Sequence, residues 1–168
     1  MRRSLLGLLS LAIASLAVTA ASAAPFAPAV FHKGRSALVY DTSTITRDGD
    51  HIQVWAYLIV RHPMDGATMV AYRREFACAV SQERDLARRF VDAQGRTIRA
   101  VETPGEWQTP DVGFDDYELL ARICGRKAAG PAVGKGMSVF DYHDVVQAAL
   151  AATVTAENGA GVTLTASR

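Results

Sequence analysis

The chain has 168 residues, with 18 basic and 17 acidic side chains, a formal charge of +1, 49% hydrophobic residues and two cysteines. That length allows one domain with a sizeable core of its own, without metals to hold it together. The balanced charge gives no reason to expect nucleic acid or an anionic membrane as partner.

Residues 1–23 read as a secretory signal peptide. Met1-Arg2-Arg3 supplies a positive start, Leu5 to Val18 an apolar run, and Ala21-Ser22-Ala23 the small-residue cleavage pattern. Cleavage there leaves about 145 residues and, with Arg2 and Arg3 gone, moves the formal charge from +1 to −1. An uncleaved anchor is the weaker reading, because Gly7, Ser10 and Ser15 interrupt a short run. No cysteine follows that run, so no lipoprotein anchor is expected. The expected location is bacterial periplasm or beyond, with no membrane span once the leader is removed.

Residues 24–36 carry Pro25, Pro28 and Gly34 without periodicity and read as a lead-in arm. Ala37 to Val60 then organises the chain as two strands around an Asp48-Gly49 turn. The second of these strands also fits a helical face through Ile52, Trp55, Ala56, Ile59 and Val60. Its β-branched and aromatic residues, and its position after a turn and before Pro63, decide for a strand. It is apolar on both faces from Val54 to Val60, which predicts a central strand with one face under a helix. So short a run cannot span a bilayer.

Arg61 to Thr68 is expected to be a turn or loop around Pro63, Asp65 and Gly66. Met69 to Val80 predicts a third strand, with Val70, Tyr72, Arg74, Phe76 and Cys78 on one parity. Arg84 to Val91 predicts a fourth, Asp92 to Gly95 a second hairpin turn, and Arg96 to Glu102 the returning strand. Pro104 to Pro110 forms a loop holding Trp107. Phe114, Tyr117, Leu120, Ala121 and Cys124 fall at helical spacing, with Asp115, Asp116 and Glu118 near the helix start and Gly125 as its stop.

Export favours pairing of Cys78 with Cys124, with two free buried thiols as the alternative. A redox pair is disfavoured, since Cys-x-x-Cys spacing is absent. Gly125 to Gly136 reads as a flexible linker, covering residues 126–137. Ser138 to Ala152 predicts an amphipathic helix with Tyr142, Val145, Val146, Ala149 and Leu150 on one face. Ser138 is placed to cap it, with Asp141 three residues on. From Thr153 to Arg168 a weak hairpin and disorder both stay open. The expected fold is α+β: an antiparallel sheet of about five strands with one helix on a face, then a linker and a C-terminal helix within residues 138–168.

Tyr40-Asp41-x-Ser43-x-Ile45-x-Arg47-x-Gly49, then Trp55, Cys78, Gly95, Trp107, Pro110 and a helix ending at Cys124 resemble the surface-adhesin protein E-like family. The resemblance spans about residues 37–125. It implies a small exported bacterial protein, an antiparallel sheet backed by a helix, and a binding rather than a catalytic role. The chain departs from the family's lipid-anchored adhesin in lacking a cysteine for an anchor.

Catalytic patterns are sparse. His32, His51, His62 and His143 show no ligand spacing, and Asp141-Tyr142-His143-Asp144 is explained by a solvated helix start. Asp115 and Asp116 point about 100° apart on a helix, so dipole complementation accounts for them better than a shared site. No nucleophile elbow or phosphate loop is present, and no metal or cofactor is expected. Trp55 reads as core, and Trp107 as a candidate contact residue.

Seven arginines and four acids lie between Arg73 and Arg99, whereas six acids and no base lie between Glu102 and Glu118. Arg84 and Arg88 share strand parity and join Trp107 as candidate contact residues. Pairing of the arginines with those acids is favoured over a face for polyanions. The expected function is an exported, non-catalytic binding module for an unknown protein or envelope component. A periplasmic carrier or inhibitor is the alternative; a hydrolase would need a deep polar pocket and a shifted carboxyl or histidine.

Overall fold

The computed structural model describes residues 26–160 except 132 and 135. The expected leader and its cleavage site, and residues 161–168, lie outside the described residues. The fold is α+β, a seven-stranded antiparallel sheet with two helices packed against it. Its strands are β1 (Phe26–His32), β2 (Ser36–Asp41), β3 (Thr46–Asp48), β4 (His51–Met64), β5 (Ala67–Ala77), β6 (Gln82–Val91) and β7 (Thr97–Val101). The order across the sheet is β1-β2-β4-β5-β6-β7, with β3 beside the first part of β4. The helices are α1 (Asp115–Ile123) and α2 (Val139–Ala160).

β4 is central, and side-chain alternation sends its residues to two different cores. Ile52, Val54 and Ala56 join Leu38, Tyr40 and Phe76 under Leu119, Leu120 and Ile123 of α1. Ile59 joins Val39, Met69 and Val91 under Tyr142, Val146 and Leu150 of α2. Opposite parities on the same strands put the helices on opposite faces, hereafter the α1 face and the α2 face. α2 covers only one end of its face, because its contacts begin at Tyr57 on β4 and at Met69 on β5.

Several expectations change. The expected arm contains β1, an edge strand on which Pro28 is tolerated because no further strand lies outside it, and pairing shifts between Pro28 and Val30. The first hairpin strand is broken by a short 3-10 turn at Thr42–Thr44, capped by the Asp41 side chain. The loop expected over Arg61–Thr68 is instead the continuation of β4 to Met64, then a two-residue turn. Asp65 and Gly66 both have positive φ (50° and 84°), as the tight hairpin turn with the right twist requires. Cys78 falls just past β5, and its backbone N–H donates to the Asp50 carbonyl.

The disulfide Cys78–Cys124 is formed, with a Cα–Cα distance of 5.5 Å. Both helix ends follow sequence logic. Gly125, at φ 73°, closes α1 through N–H bonds from Gly125 to the Arg122 carbonyl and from Arg126 to the Ala121 carbonyl. Ser138 and Asp141 cap α2 reciprocally, Asp141 N–H donating to Ser138 Oγ and the Ser138 N–H and hydroxyl to Asp141 Oδ2.

The buried stripes are rotated from those expected. α1 buries Leu119 and Ile123, while Phe114 is 66% exposed; α2 buries His143 and leaves Val145 49% exposed. α2 runs to Ala160, through the Asn158-Gly159 pair read as a hairpin signal. The expected linker is tied to the β1 edge, where Phe26 and Val133 exchange two backbone hydrogen bonds of 2.9 and 2.7 Å. Composition suggested a free segment; backbone pairing, which composition does not show, anchors it.

Candidate functional site

The part of the α2 face that α2 leaves open is polar and aromatic. β4 places His51, Gln53 and Trp55 there, β5 places Arg73 and Glu75, and β6 places Arg84 and Arg89. Trp55 is half-buried rather than core, because it points to this side at a level the helix does not reach.

These side chains hold one another in fixed geometry. Arg84 donates to Glu75 (Nη2–Oε2 2.6 Å), Glu75 accepts from Gln53 at 3.3 Å, and Gln53 Oε1 accepts from Arg73 Nη2 at 2.9 Å. Burial pushes the Glu75 carboxyl up, but hydrogen bonds from Arg84, Gln53 and His51 outweigh it and hold its pKa below the usual range. The loop with Trp107 folds over one end of the strip. It is held by backbone bonds between Glu83 and Gln108 and by the Gly105 N–H on the Asp85 carbonyl at 2.8 Å. The Trp107 ring then meets the Arg84 guanidinium at 4.5 Å and the His51 ring edge-on at 5.5 Å. At the other end, Arg89 lies 5.3 Å from the Trp55 ring and pairs with Glu102 at 2.9 Å. A cavity of about 210 Å³ continues from there between Trp55, Met69, Val91 and Phe140.

Trp107 and Arg84 are therefore brought together, but Arg88 is not with them. Arg73 pairs with Ala87 and Arg74 with Asp85, so Leu86 is an extra residue on β6. That bulge reverses the alternation, and Arg84 and Arg88, expected to share parity, point to opposite faces. Five of the seven arginines are held in ion pairs: Arg84, Arg88 and Arg96 with Glu75, Asp85 and Asp92 of the strands and turns, Arg89 with Glu102, and Arg74 with both Asp85 and Asp116. Arg99 stacks on Phe90 at 3.6 Å. Arg73 has no carboxylate partner among the described residues, and it was not singled out from sequence.

On the α1 face the bulge builds a second polar cluster. Arg74, 6% exposed, donates to Asp85 (3.0 Å) and Asp116 (2.5 Å) and stands 3.6 Å from Glu83. These acids hold the Arg74 guanidinium charged despite burial. Asp115, next to Asp116, instead bonds His32 at 2.8 Å, so the adjacent carboxylates do diverge as helix geometry requires. His143, expected in solvent, is 8% exposed and bonds Asp144 at 3.1 Å. Among the described residues, no three acids, histidines or cysteines form a metal-ligand group.

Glu83 is the perturbed member. Burial pushes its carboxyl from the usual 4.5 to about 7, against the pull of Arg74 and helped by Asp116 and Asp85. The folded protein thus keeps a proton that the unfolded chain has released, and stability falls as the pH rises from about 4.5 to about 7. From this group alone the loss is roughly 3 kcal/mol. Glu75, with its lowered pKa, acts oppositely and costs stability only as the pH falls below the usual carboxylate range. Urea unfolding across pH should show the wild-type fall and its absence in Glu83→Gln. A wild type as stable at about pH 8 as at about pH 5 would contradict this.

Comparison with protein-family models, with curated proteins and with solved structures finds no match for this chain. The disulfide is consistent with an oxidising, extracytoplasmic location. No helix among the described residues is long and apolar enough to cross a membrane.

Proposed function

We propose that this chain is an exported, non-enzymatic binding module of the surface-adhesin E-like kind, and that it meets its partner with the open part of the α2 face. One observation carries the reading. A sheet face half covered by a helix leaves the other half lined with Trp55, Gln53, Arg73 and Arg89, not with solvated charges alone. Aromatic and guanidinium groups held by neighbours lose little freedom on contact, which is what a recognition surface requires. The chemistry suits a protein or envelope polymer rich in hydrogen-bonding groups. The cell-envelope or extracellular setting rests on the resemblance and on the disulfide.

A carrier role has one observation in its favour, the cavity beside Trp55, whose walls are largely apolar. At about 210 Å³ it is below the usual range for an enclosed small-molecule site. A hydrolase has the raised carboxyl of Glu83, but no serine, cysteine or histidine lines the cleft beside it.

The test is capture of an envelope component by immobilised, oxidised protein. Trp55→Ala with Arg73→Ala should weaken capture by about tenfold or more, and Phe114→Ala, on the other face, should leave it unchanged. Equal loss in Phe114→Ala, or none in the double variant, would count against this surface.

A further inference from the structure

Where the Leu86 bulge displaces β6, a cleft of about 270 Å³ opens on the α1 face between β6, the loop after β7 and the first turn of α1. Asp85 and Arg88 come from β6, Thr103 and Glu106 from the loop, and Asp116 from the helix. Glu83 lines it too, 8% exposed, with Oε2 lacking any hydrogen-bond partner. A buried polar atom of this kind costs free energy unless something completes it.

Charge bookkeeping points to what is missing. Arg74 and Arg88 face three carboxylates, Glu83, Asp85 and Asp116, and Glu106 adds a fourth acid at the margin. Arg84 also borders the cleft, but its guanidinium is engaged by Glu75 and Trp107 across the sheet. With Glu83 ionised, the inner cluster is therefore one positive charge short. A metal ion does not fit, since the acids are interleaved with guanidinium groups and form no ligand set. An anion would meet an excess of carboxylate. The volume, just under that of ordinary small-molecule pockets, calls for a small ligand.

We propose that this cleft binds a small organic cation with N–H donors, an ammonium or guanidinium group, which completes the charge of the Glu83, Asp85 and Asp116 cluster. The site lies on the α1 face and is independent of the open-face reading. Binding is coupled to a proton: Glu83, near Arg74, Asp85 and Asp116, with Arg88 and Glu106 further out, must ionise to receive the cation. A free amine and a partner's lysine or arginine side chain present the same group.

Calorimetry on the intact oxidised protein tests this with n-butylammonium, methylguanidinium and tetramethylammonium. At about pH 8 the first two should bind one to one, and tetramethylammonium, without N–H donors, about tenfold more weakly or not at all. At about pH 6 the affinity should drop about tenfold as Glu83 takes its proton. Asp116→Asn and Glu83→Gln should each weaken binding about tenfold, and the exposed Glu106→Gln, which leaves the core untouched, about threefold. A lysine amide capped at its amino end that binds like n-butylammonium identifies a side chain as the source; its exclusion identifies a free amine. No heat with either donor cation up to about 50 mM, equal binding of tetramethylammonium, or indifference to all three substitutions would overturn the proposal.

Discussion

Breaking the Cys78–Cys124 bond, by reductant or by Cys78→Ala with Cys124→Ala, is expected to lower the unfolding free energy by about 4 kcal/mol. The bond closes a separation of 46 residues, which confines the unfolded chain. In the folded state it joins the end of β5 to the C-terminus of α1, and Arg126 secures the same corner by donating to the Cys78 carbonyl at 2.6 Å and the Ser81 hydroxyl at 2.7 Å. α1 is only nine residues long, too short to persist on its own helical propensity. Loss of the bond should therefore loosen α1 first. Urea unfolding of oxidised and reduced protein measures the difference, and a value below about 1 kcal/mol would show that the α1 packing holds without the link.

Arg74→Met should cost about 3–5 kcal/mol at neutral pH, although it replaces a charge by an apolar chain of similar length. Arg74 is 6% exposed, and its loss leaves Glu83, Asp85 and Asp116 to repel one another in a poorly hydrated space. The cost should shrink at about pH 4, where the orphaned acids take up protons. Adding Glu83→Gln and Asp85→Asn should recover part of it, because the damage lies in the unbalanced charge rather than in lost volume. A cost that is the same at both pH values would assign it to packing instead.

Much of this scaffold was legible. Asp92 to Gly95 reads as a turn and is one, with the Asp92 carboxylate accepting from the backbone N–H groups of Gln94 and Arg96. Ser138 with Asp141, and Gly125 after Cys124, are local signals that act locally. The parity of β5 is legible as well. Arg74 shares that parity with Val70, Tyr72 and Phe76, so a charge was already predicted to point inward, and an inward charge needs a partner.

What stayed hidden depends on register. The bulge at Leu86 leaves no mark in the sequence, yet it sends Arg88 to the opposite face from Arg84 and builds the cleft at Glu83. Trp55 reads as core because the run from Val54 to Val60 is apolar on both faces. Its half-exposure follows from where α2 stops on the sheet, and only the packed structure fixes that. β1 was hidden for a similar reason: Pro28 argues against a strand except at an edge, and edge position is a tertiary fact.

The tryptophans give the most direct test of the open α2 face as the contact surface. The chain has only two, and both lie on it, Trp55 between Gln53, Arg73 and Arg89 and Trp107 over Arg84 and His51. In a ¹⁵N-labelled sample each gives one indole N–H signal, and captured envelope material can be titrated in while both are followed. The account predicts that the Trp55 signal shifts or broadens in step with binding and that Trp107 responds with it. Saturated binding with both indole signals unmoved would contradict it.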